Sequence, residues 1–256
     1  MSTVRLSFAD VYGMSAWRLP CLRRGLGPNR FARRDKHSAA SPTVRAELRA
    51  LLRETAQPVA VVTSLMPPQA SSPHTRFHGA TLSSFSSIAM DPHPLVAFSL
   101  RIPSRMATSL KNAHIDWPSH MVINILSAVQ ENVALQFSRV DIHPHPFSSI
   151  SYSLTEEGLP LIHGSLGALS CKLVASSWPL HDLKSLSAGQ TKPDAEWEGD
   201  GIASELFIAE VIRVESPKPL KGDEMSHTLP LLYHRRAYST TQPLAPSPTT
   251  NPGEKQ

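Results

Sequence analysis

Prolines divide this chain into short segments, and their frequency constrains the fold more than any other feature. The 256 residues include 23 prolines, and a proline inside a helix removes a backbone hydrogen bond and clashes with the preceding turn. Long helices therefore have little room, whereas short strands joined by turns tolerate prolines at their ends. Because 41% of the residues are hydrophobic, the chain is too apolar to be wholly disordered. We expect a mostly β protein with one core.

Positive charge is concentrated at the N-terminus. Residues 1–40 contain eight basic and two acidic side chains, a net charge of +6, whereas the whole chain is only +4. An arginine-rich, acid-poor and serine-containing start is typical of a mitochondrial transit peptide, so we expect residues 1–40 to be a basic, disordered presequence. The alternatives are a nucleic-acid-binding arm or a retained disordered extension of a cytoplasmic protein. No aromatic platform accompanies the arginines, and we therefore expect no nucleic-acid partner.

The rest of the chain is expected to be one domain followed by a tail. Residues 239–256 are rich in Pro, Ser and Thr, which predicts a disordered tail and leaves residues 42–238 as the folded body. No uncharged apolar run reaches the roughly 18 residues that a membrane helix needs, so no membrane span is expected. Cys21 and Cys171 are too few for a disulfide framework. The strand-like setting of Cys171 predicts a buried, unreactive thiol.

Local patterns in the body predict strands with short helices between them. A helix that Ser41 caps and that ends by Gln57–Pro58 would carry its apolar residues on one face, namely Val44, Leu48, Leu51 and Leu52. Strands are predicted at residues 59–65, 95–100, 121–126, 166–174 and 202–214, one long extended segment at 76–90, and helices at 104–111 and 129–137. Residues 182–201 lack periodicity and are expected to form a loop.

This order of elements favours a small antiparallel barrel. Strands do not alternate with long helices, as they do in a doubly wound parallel sheet. Neither a Gly-x-Gly-x-x-Gly motif nor a Gly-Lys-Ser/Thr phosphate loop occurs, which disfavours the common nucleotide-binding folds. A Greek-key or split barrel fits better.

The most informative stretch covers residues 78–92, because it is unusually rich in hydroxyl groups. Five of seven successive positions are Thr81, Ser83, Ser84, Ser86 and Ser87. Hydroxyls and free backbone N–H groups at a strand end or bulge can hold a phosphate or the polar edge of a planar ring. The alternative is an exposed edge strand with serine on its outer face.

A second polar group follows the predicted strand at 95–100. Arg101, Ser104 and Arg105 lie just beyond that strand, where a helix begins, and this combination is typical of an anion site. A planar ring with a phosphate tail would find both of its requirements in the two stretches. The alternative is a pair of solvated arginines beside an ordinary helix cap.

These segments resemble the flavin reductase-like, FMN-binding split-barrel family. Residues 79–92 look like its signature strand, and residues 94–105 are similar to its second segment. Further similar segments at 122–126, 156–161, 206–211 and 230–238 follow in the family's order, so the resemblance covers about residues 42–238. It implies a six-stranded antiparallel Greek-key split barrel with short flanking helices. It also implies a homodimer with FMN at the interface, here as a fungal mitochondrial-type member.

The resemblance also implies a site and an activity. Contacts to the flavin carry over to Thr81, Leu82, Ser83, Ser84, Phe85 and Ser87, and a phosphate contact carries over to Ser104. Many members have Asn where this chain has Arg101, but Arg101 and Arg105 can bind phosphate in compensation. The implied reaction is hydride transfer from NAD(P)H to bound flavin, and it requires no catalytic acid or base from the chain.

Two further positions qualify these expectations. Members that use NADH often carry Asp-His where this chain has Ala203–Ser204, so the alternative function is an FMN-binding module or carrier without NAD(P)H turnover. Asp141, His143 and His145 are close in sequence, but their spacing does not present facing ligands, and we expect no metal site. Among the histidines, His78 is the one that flanks the hydroxyl-rich stretch.

Overall fold

Antiparallel strands are the main secondary structure of the described residues. The computed structural model describes residues 42–66, 77–139, 141–175, 177–188, 203–220 and 228–242. In chain order the strands are β1 (Gln57–Pro58), β2 (Ala60–Leu65), β3 (Phe77–Leu82), β4 (Ser86–Ala89), β5 (Leu95–Ile102), β6 (Met121–Ile125), β7 (Tyr152–Leu154), β8 (Pro160–Ile162), β9 (Gly167–Leu173), β10 (Trp178–Pro179), β11 (Ala203–Glu215), β12 (Leu232–His234) and β13 (Ala237–Ser239). The predicted presequence, the predicted cap Ser41 and residues 243–256 of the tail lie outside the described residues.

Four α-helices accompany the strands in the described residues. They are α1 (Pro42–Arg53), α2 (Arg105–Lys111), α3 (Glu131–Ser138) and α4 (Leu183–Ser187). Ser104 caps α2 as predicted, since its hydroxyl accepts a hydrogen bond from the Ala107 N–H at 3.0 Å. No helix in the described parts of the chain is long and apolar enough to cross a lipid bilayer.

The main sheet is a curled half-barrel. Its strand order is β3-β2-β6-β9-β11-β5-β4, and β10 pairs with the start of β11. Every pairing is antiparallel, and spatial neighbours such as β2 and β6 are distant in the chain. The predicted mostly β, antiparallel split barrel is confirmed. β3 is at one end of this order, whereas β5 is second from the other end, before β4. A split lies between β3 and β5.

The core lies on the inner face of the sheet. In β5, the alternate residues Val96, Phe98, Leu100 and Ile102 are buried, which is the period of a strand with one face on the core. Phe98 stacks on Phe207 of β11 with ring centroids 5.5 Å apart. Burial of side chains of this size contributes about 1.5–3 kcal/mol each, so β5 and β11 are firmly joined where they border the split.

The apolar face of α1 does not pack into this core. Val44, Leu48, Leu51 and Leu52 are 47–65% exposed, although the helix forms over the predicted residues. The amphipathic pattern therefore predicted the helix correctly, but its apolar side faces outward.

Two predicted segments differ from the structure. The long extended segment predicted at 76–90 is wrong, because β3 pairs with β2 whereas β4 pairs with β5, and the chain bends at residues 83–85 to change partners. The loop predicted at 182–201 is also wrong in part, because it contains α4, where the Asp182 carboxylate accepts a hydrogen bond from the Lys184 N–H at 3.1 Å. A helix of five residues is too short to show periodicity. The short strands β1, β7, β8, β10, β12 and β13 were not predicted.

Candidate functional site

A cavity of about 680 Å³ occupies the split between β3 and β5. One wall is the stretch from His78 to Ser84, and the facing wall is residues 99–101 of β5. This volume is within the range of roughly 300–1,000 Å³ that small-molecule sites show. The fold therefore brings the two polar segments that the sequence singled out to one cavity.

β3 extends along the cavity. At its start, His78 lies close enough to Arg105 of α2 to be affected by its charge. At its end, Leu82 is opposite Ala60 of β2, next to Val59, whose N–H donates to the Leu231 carbonyl at 3.0 Å. His78 and Leu82 are four strand residues apart, about 13 Å.

Two arginines line the cavity. Arg101, Ser104 and Arg105 all belong to the lining. The one carboxylate in the lining is that of Asp141, and Arg139 donates to both of its oxygens at 3.1 Å. Guanidiniums are side chains that can bind a phosphate through two parallel hydrogen bonds.

Aromatic rings also line the cavity. Phe137 of α3 covers Gly79, and a Cβ at position 79 would overlap the Phe137 ring. Tyr233 and Tyr238 of the β12–β13 hairpin belong to the same lining. Sequence reasoning missed both tyrosines, although they lie in the segment 230–238 that supported the resemblance. A strand of three residues is too short for an alternating pattern to show which side chains face the cavity. The aromatic character of the two residues was therefore the one available signal.

The hydroxyl groups on the β3 wall have different partners. Thr81 donates to the Ala134 carbonyl of α3 at 2.7 Å, so it holds α3 against β3 while it lines the cavity. Ser84 accepts a hydrogen bond from the Ser99 N–H at 3.1 Å and donates to the Ser99 carbonyl at 3.2 Å. This pair joins the end of β3 to β5 in place of a backbone ladder.

Ser83 and Leu82 also line the cavity, whereas two predicted residues do not. Within the described residues, the Ser83 hydroxyl has no hydrogen-bond partner, and it is the half-buried hydroxyl that remains available to a ligand. Phe85 packs against the core. Ser87 lies exposed on the edge strand β4, so the alternative of a serine-covered edge applies to Ser86 and Ser87.

The ionisation of His78 follows from its place in the cavity. Burial, with a smaller contribution from the Arg105 guanidinium, lowers the pKa of His78 to about 4. The imidazole ring of His78 is therefore neutral near pH 7 and adds no charge to the cavity. The prediction for Cys171 is confirmed, because its side chain is fully buried and burial raises the pKa of the thiol to about 12.

A buried ion pair connects the two elements next to Arg101 and Arg105. Glu205 is 3% exposed; it accepts hydrogen bonds from Lys111 at 3.1 Å and from Ser177 at 2.9 Å. Lys111 ends α2, the helix that begins with Arg105, and Glu205 follows Ser204, which is opposite Arg101 in the β5–β11 ladder. The pair therefore ties α2 to β11 and fixes the two arginines relative to each other.

Ser204 stands where the resemblance places a histidine. It is the second residue of β11 and lines the cavity, so that position is part of the site but carries a hydroxyl. In the described part of the chain, no three His, Cys, Asp or Glu side chains are grouped closely enough to hold a metal ion.

Comparisons with known proteins agree with this architecture. Residues 52–242 match the family model described as the flavin reductase like domain. The FMN reductase (NADH) SmoA of Agrobacterium fabrum is 29% identical over 126 residues, which cover 48% of this chain and 65% of that protein. A flavin reductase of Pseudomonas putida is 33% identical over 101 residues, which cover 40% of this chain and 55% of that protein. The matched regions thus span less than two thirds of either relative.

A solved structure extends the likeness in fold to most of the chain. Component B of nitrilotriacetate monooxygenase from Mycobacterium thermoresistibile superposes with a TM-score of 0.55 at 20% identity, over 84% of this chain and 93% of that one. At this identity the likeness concerns the fold alone.

Proposed function

This chain belongs to the flavin reductase like domain family, and from that premise we propose that it is an oxidoreductase that binds FMN and reduces it with NADH or NADPH. The observation that carries the proposal is the lining of the cavity, which combines two guanidiniums, aromatic rings and a hydroxyl-bearing strand. A planar ring joined by a chain to a phosphate matches all three features. The donors that line the cavity therefore fit FMN.

The residues of the cavity divide the task of holding FMN. Arg101 and Arg105 bind the phosphate, and Ser104 contributes by fixing the start of α2. The Ser83 hydroxyl donates a hydrogen bond to the polar edge of the ring. When bound, FMN supplies the ring atom that accepts a hydride from the nicotinamide, so the chain needs no acid or base of its own.

A flavin carrier without turnover is the second candidate function. Ser204 favours it, because a serine in the cavity offers no imidazole to assist the nicotinamide. The resemblance implies that family members that use NADH carry a histidine at the position of Ser204. The two candidates agree on FMN and differ only in whether a reduced nicotinamide is consumed.

We propose that the functional unit is a homodimer. Besides the α1 face, Ile88 and Met90 near β4 and Ile212 and Val214 in β11 are 49–72% exposed. Exposed apolar residues mark an interaction surface where they form a contiguous patch. A second copy of the chain would cover them.

The basic N-terminus supports a mitochondrial location. Its net charge of +6 over residues 1–40 suits import into mitochondria, and we propose that the protein is a mitochondrial-type member of the family, of the kind found in fungi. Expression with a C-terminal fluorescent tag, with and without residues 1–40, tests this. Loss of mitochondrial signal on deletion is expected, and unchanged distribution would contradict it.

Steady-state kinetics separate the two candidate functions. Oxidation of NADH and of NADPH is followed by the loss of nicotinamide absorbance, with the purified full chain and added FMN. A reductase gives a rate that is proportional to protein and saturates with FMN. Tight FMN binding with no nicotinamide oxidation identifies a carrier. Failure to bind FMN at all would refute both.

A further inference from the structure

A carboxylate lies among apolar side chains on the core face of β11. The alternate residues Ala203, Glu205, Phe207 and Ala209 are buried, and Glu205 is the one charged residue among them. It is directly opposite the buried Leu100 of β5. Burial of a charged side chain costs free energy unless the charge is paired and hydrogen-bonded. The presence of Glu205 at this position therefore has a reason other than core packing.

Each oxygen of the Glu205 carboxylate has its own donor. The Lys111 ammonium donates to Oε1 at 3.1 Å, and the Ser177 hydroxyl donates to Oε2 at 2.9 Å. Ser177 is itself buried and directly precedes β10, which pairs with β11. The carboxylate is therefore held in one position by the sheet side, and it holds Lys111 in turn.

Lys111 and Arg105 are the two end residues of α2. They are six residues apart, about 9 Å along the helix axis. Between them, Met106, Ala107 and Leu110 are buried against the core. Because a helix of this length moves as one body, a shift of its last residue also displaces Arg105, which lines the cavity.

An ion pair restricts the position of α2 in a way that apolar packing does not. Apolar burial is non-directional, whereas a hydrogen bond requires a narrow range of distance and angle. A buried ion pair is often no more stabilising than apolar residues of similar volume. Groups that bind a ligand, however, need to be held within about 0.5 Å of the productive geometry. The Lys111–Glu205 pair is therefore better suited to positioning than to stabilisation.

We propose that Lys111 and Glu205 are positioning residues that set the orientation of α2 at which the Arg105 guanidinium binds the phosphate of the ligand. Neither residue belongs to the cavity lining, so both act through Arg105. This inference rests on the proposed FMN function. It adds that the preference for FMN over riboflavin, which lacks the phosphate, depends on an ion pair behind the site.

Titration of FMN and of riboflavin with the purified full chain measures this preference, and urea unfolding measures the stability of each variant. Lys111→Met/Glu205→Leu replaces the ion pair by an apolar pair, and Lys111→Arg keeps the cation. Glu205→Gln keeps the shape of the side chain and the Ser177 contact but removes the negative charge. The apolar pair is also introduced into Arg105→Met.

An ion pair remote from the cavity provides the matched control. The Glu157 carboxylate accepts a hydrogen bond from Arg213 at 2.8 Å, and its side chain is 14% exposed. Neither residue belongs to the cavity lining. Glu157→Gln should therefore lower the free energy of unfolding and leave the affinities for both flavins unchanged.

The variants at the proposed pair should show the reverse behaviour. The apolar pair is expected to unfold at about the same urea concentration as the unmodified chain but to bind FMN roughly ten-fold more weakly, with riboflavin affinity unchanged. Lys111→Arg should retain the FMN affinity, because its guanidinium still donates to Glu205. In Arg105→Met, the apolar pair should cause no further loss of FMN affinity, since residues that act through one another are not additive.

Glu205→Gln provides the result if the apolar pair prevents folding. It should weaken FMN and not riboflavin, and unchanged FMN affinity in this variant would overturn the inference. The same conclusion would follow from unchanged FMN affinity in the apolar pair or from an equal loss for the two flavins. A further loss of FMN affinity in Arg105→Met would show that the pair acts independently of Arg105.

These results leave the proposed function in place, because the unmodified chain still binds FMN. If the unmodified chain binds neither FMN nor riboflavin, the proposed function fails and the inference fails with it.

Discussion

Ser83 and Ser84 are neighbours in the chain, yet their hydroxyls have different surroundings. Ser84 uses its hydroxyl both to accept from and to donate to the Ser99 backbone. Ser83 is half-buried and directs its available hydroxyl to the cavity lining. The sequence presented them as one motif, but the structure assigns a structural contact to one and an open position to the other.

Single alanine substitutions at these serines should therefore differ in their effects on FMN binding and on stability. Ser83→Ala is expected to weaken FMN binding by about 0.5–1.5 kcal/mol, the net value of one hydrogen bond, with little change in stability. Ser84→Ala is expected to lower the free energy of unfolding by about the same amount. FMN titrations and urea unfolding of both variants measure the two effects. Equal losses of affinity with unchanged stability would show that both serines contact the ligand.

His78 makes stability depend on pH in a defined direction. Its pKa is about 4 in the folded chain and about 6.5 when unfolded, so as pH falls the unfolded chain takes up the proton first. Its contribution to stability is complete above about pH 6.5 and is lost as pH falls toward 4. His78→Gln should therefore lose less stability than the unmodified chain between those values.

Urea unfolding at a series of pH values measures this difference. Burial also lowers the pKa of His120, which is 4% exposed. Part of the loss of stability at low pH should therefore persist in His78→Gln. His143→Gln, at an exposed position, is the matched control and should follow the unmodified curve. Parallel pH curves for His78→Gln and the unmodified chain would contradict the assignment.

At the scale of elements, the contact of α3 with β3 shapes the cavity. Thr81 bonds to α3, and Phe137 packs on the bare backbone of Gly79. This close approach favours glycine at position 79, since a Cβ there would force the Phe137 ring to move.

Gly79→Ala should accordingly affect both stability and binding. Overpacking of this kind costs about 1–3 kcal/mol of unfolding free energy, and the displaced ring should also reduce FMN affinity. Gly167→Ala is the matched control, because the nearest atom to a Cβ there is the Glu215 carbonyl oxygen at 3.9 Å. Thermal unfolding and FMN titration report the two effects. A Gly79→Ala variant indistinguishable from Gly167→Ala would contradict the packing argument.

Elements with a local signal were predictable, and elements defined by their partners were not. The strand β5 and the Ser104 cap of α2 depend on residues that are adjacent in the chain, and both were predicted. The bend after Leu82 arises because β3 and β4 pair with different strands, and the tyrosine hairpin joins the cavity through its contacts with β1. Arg101 near the end of β5, and Ser104 and Arg105, which follow β5 directly in the sequence, line the cavity. The sequence did not reveal Tyr233 or Tyr238, because their position depends on contacts between distant segments.

At the scale of the molecule, the outward apolar face of α1 predicts self-association. Leu51 is 65% exposed, and a stable dimer interface buries more than about 1,000 Å² of surface. Leu51→Glu should convert a dimer to a monomer, which light scattering coupled to size-exclusion chromatography measures. Leu183→Glu, at a 62% exposed leucine of α4, is the matched control and should remain dimeric. A monomeric unmodified chain would refute the dimer.

The central claim is that the split between β3 and β5 holds FMN by its phosphate. Equilibrium titration of FMN and of riboflavin, which lacks the phosphate, into the unmodified chain and Arg105→Met tests it most directly. One FMN should bind per chain, and riboflavin should bind both proteins equally. Arg105→Met should weaken FMN binding by roughly 10- to 150-fold, since a hydrogen bond to a charged group contributes about 1.5–3 kcal/mol. Lys184→Met removes a charge elsewhere and should have no effect. The absence of saturable FMN binding, or equal FMN affinity in Arg105→Met, would contradict the account.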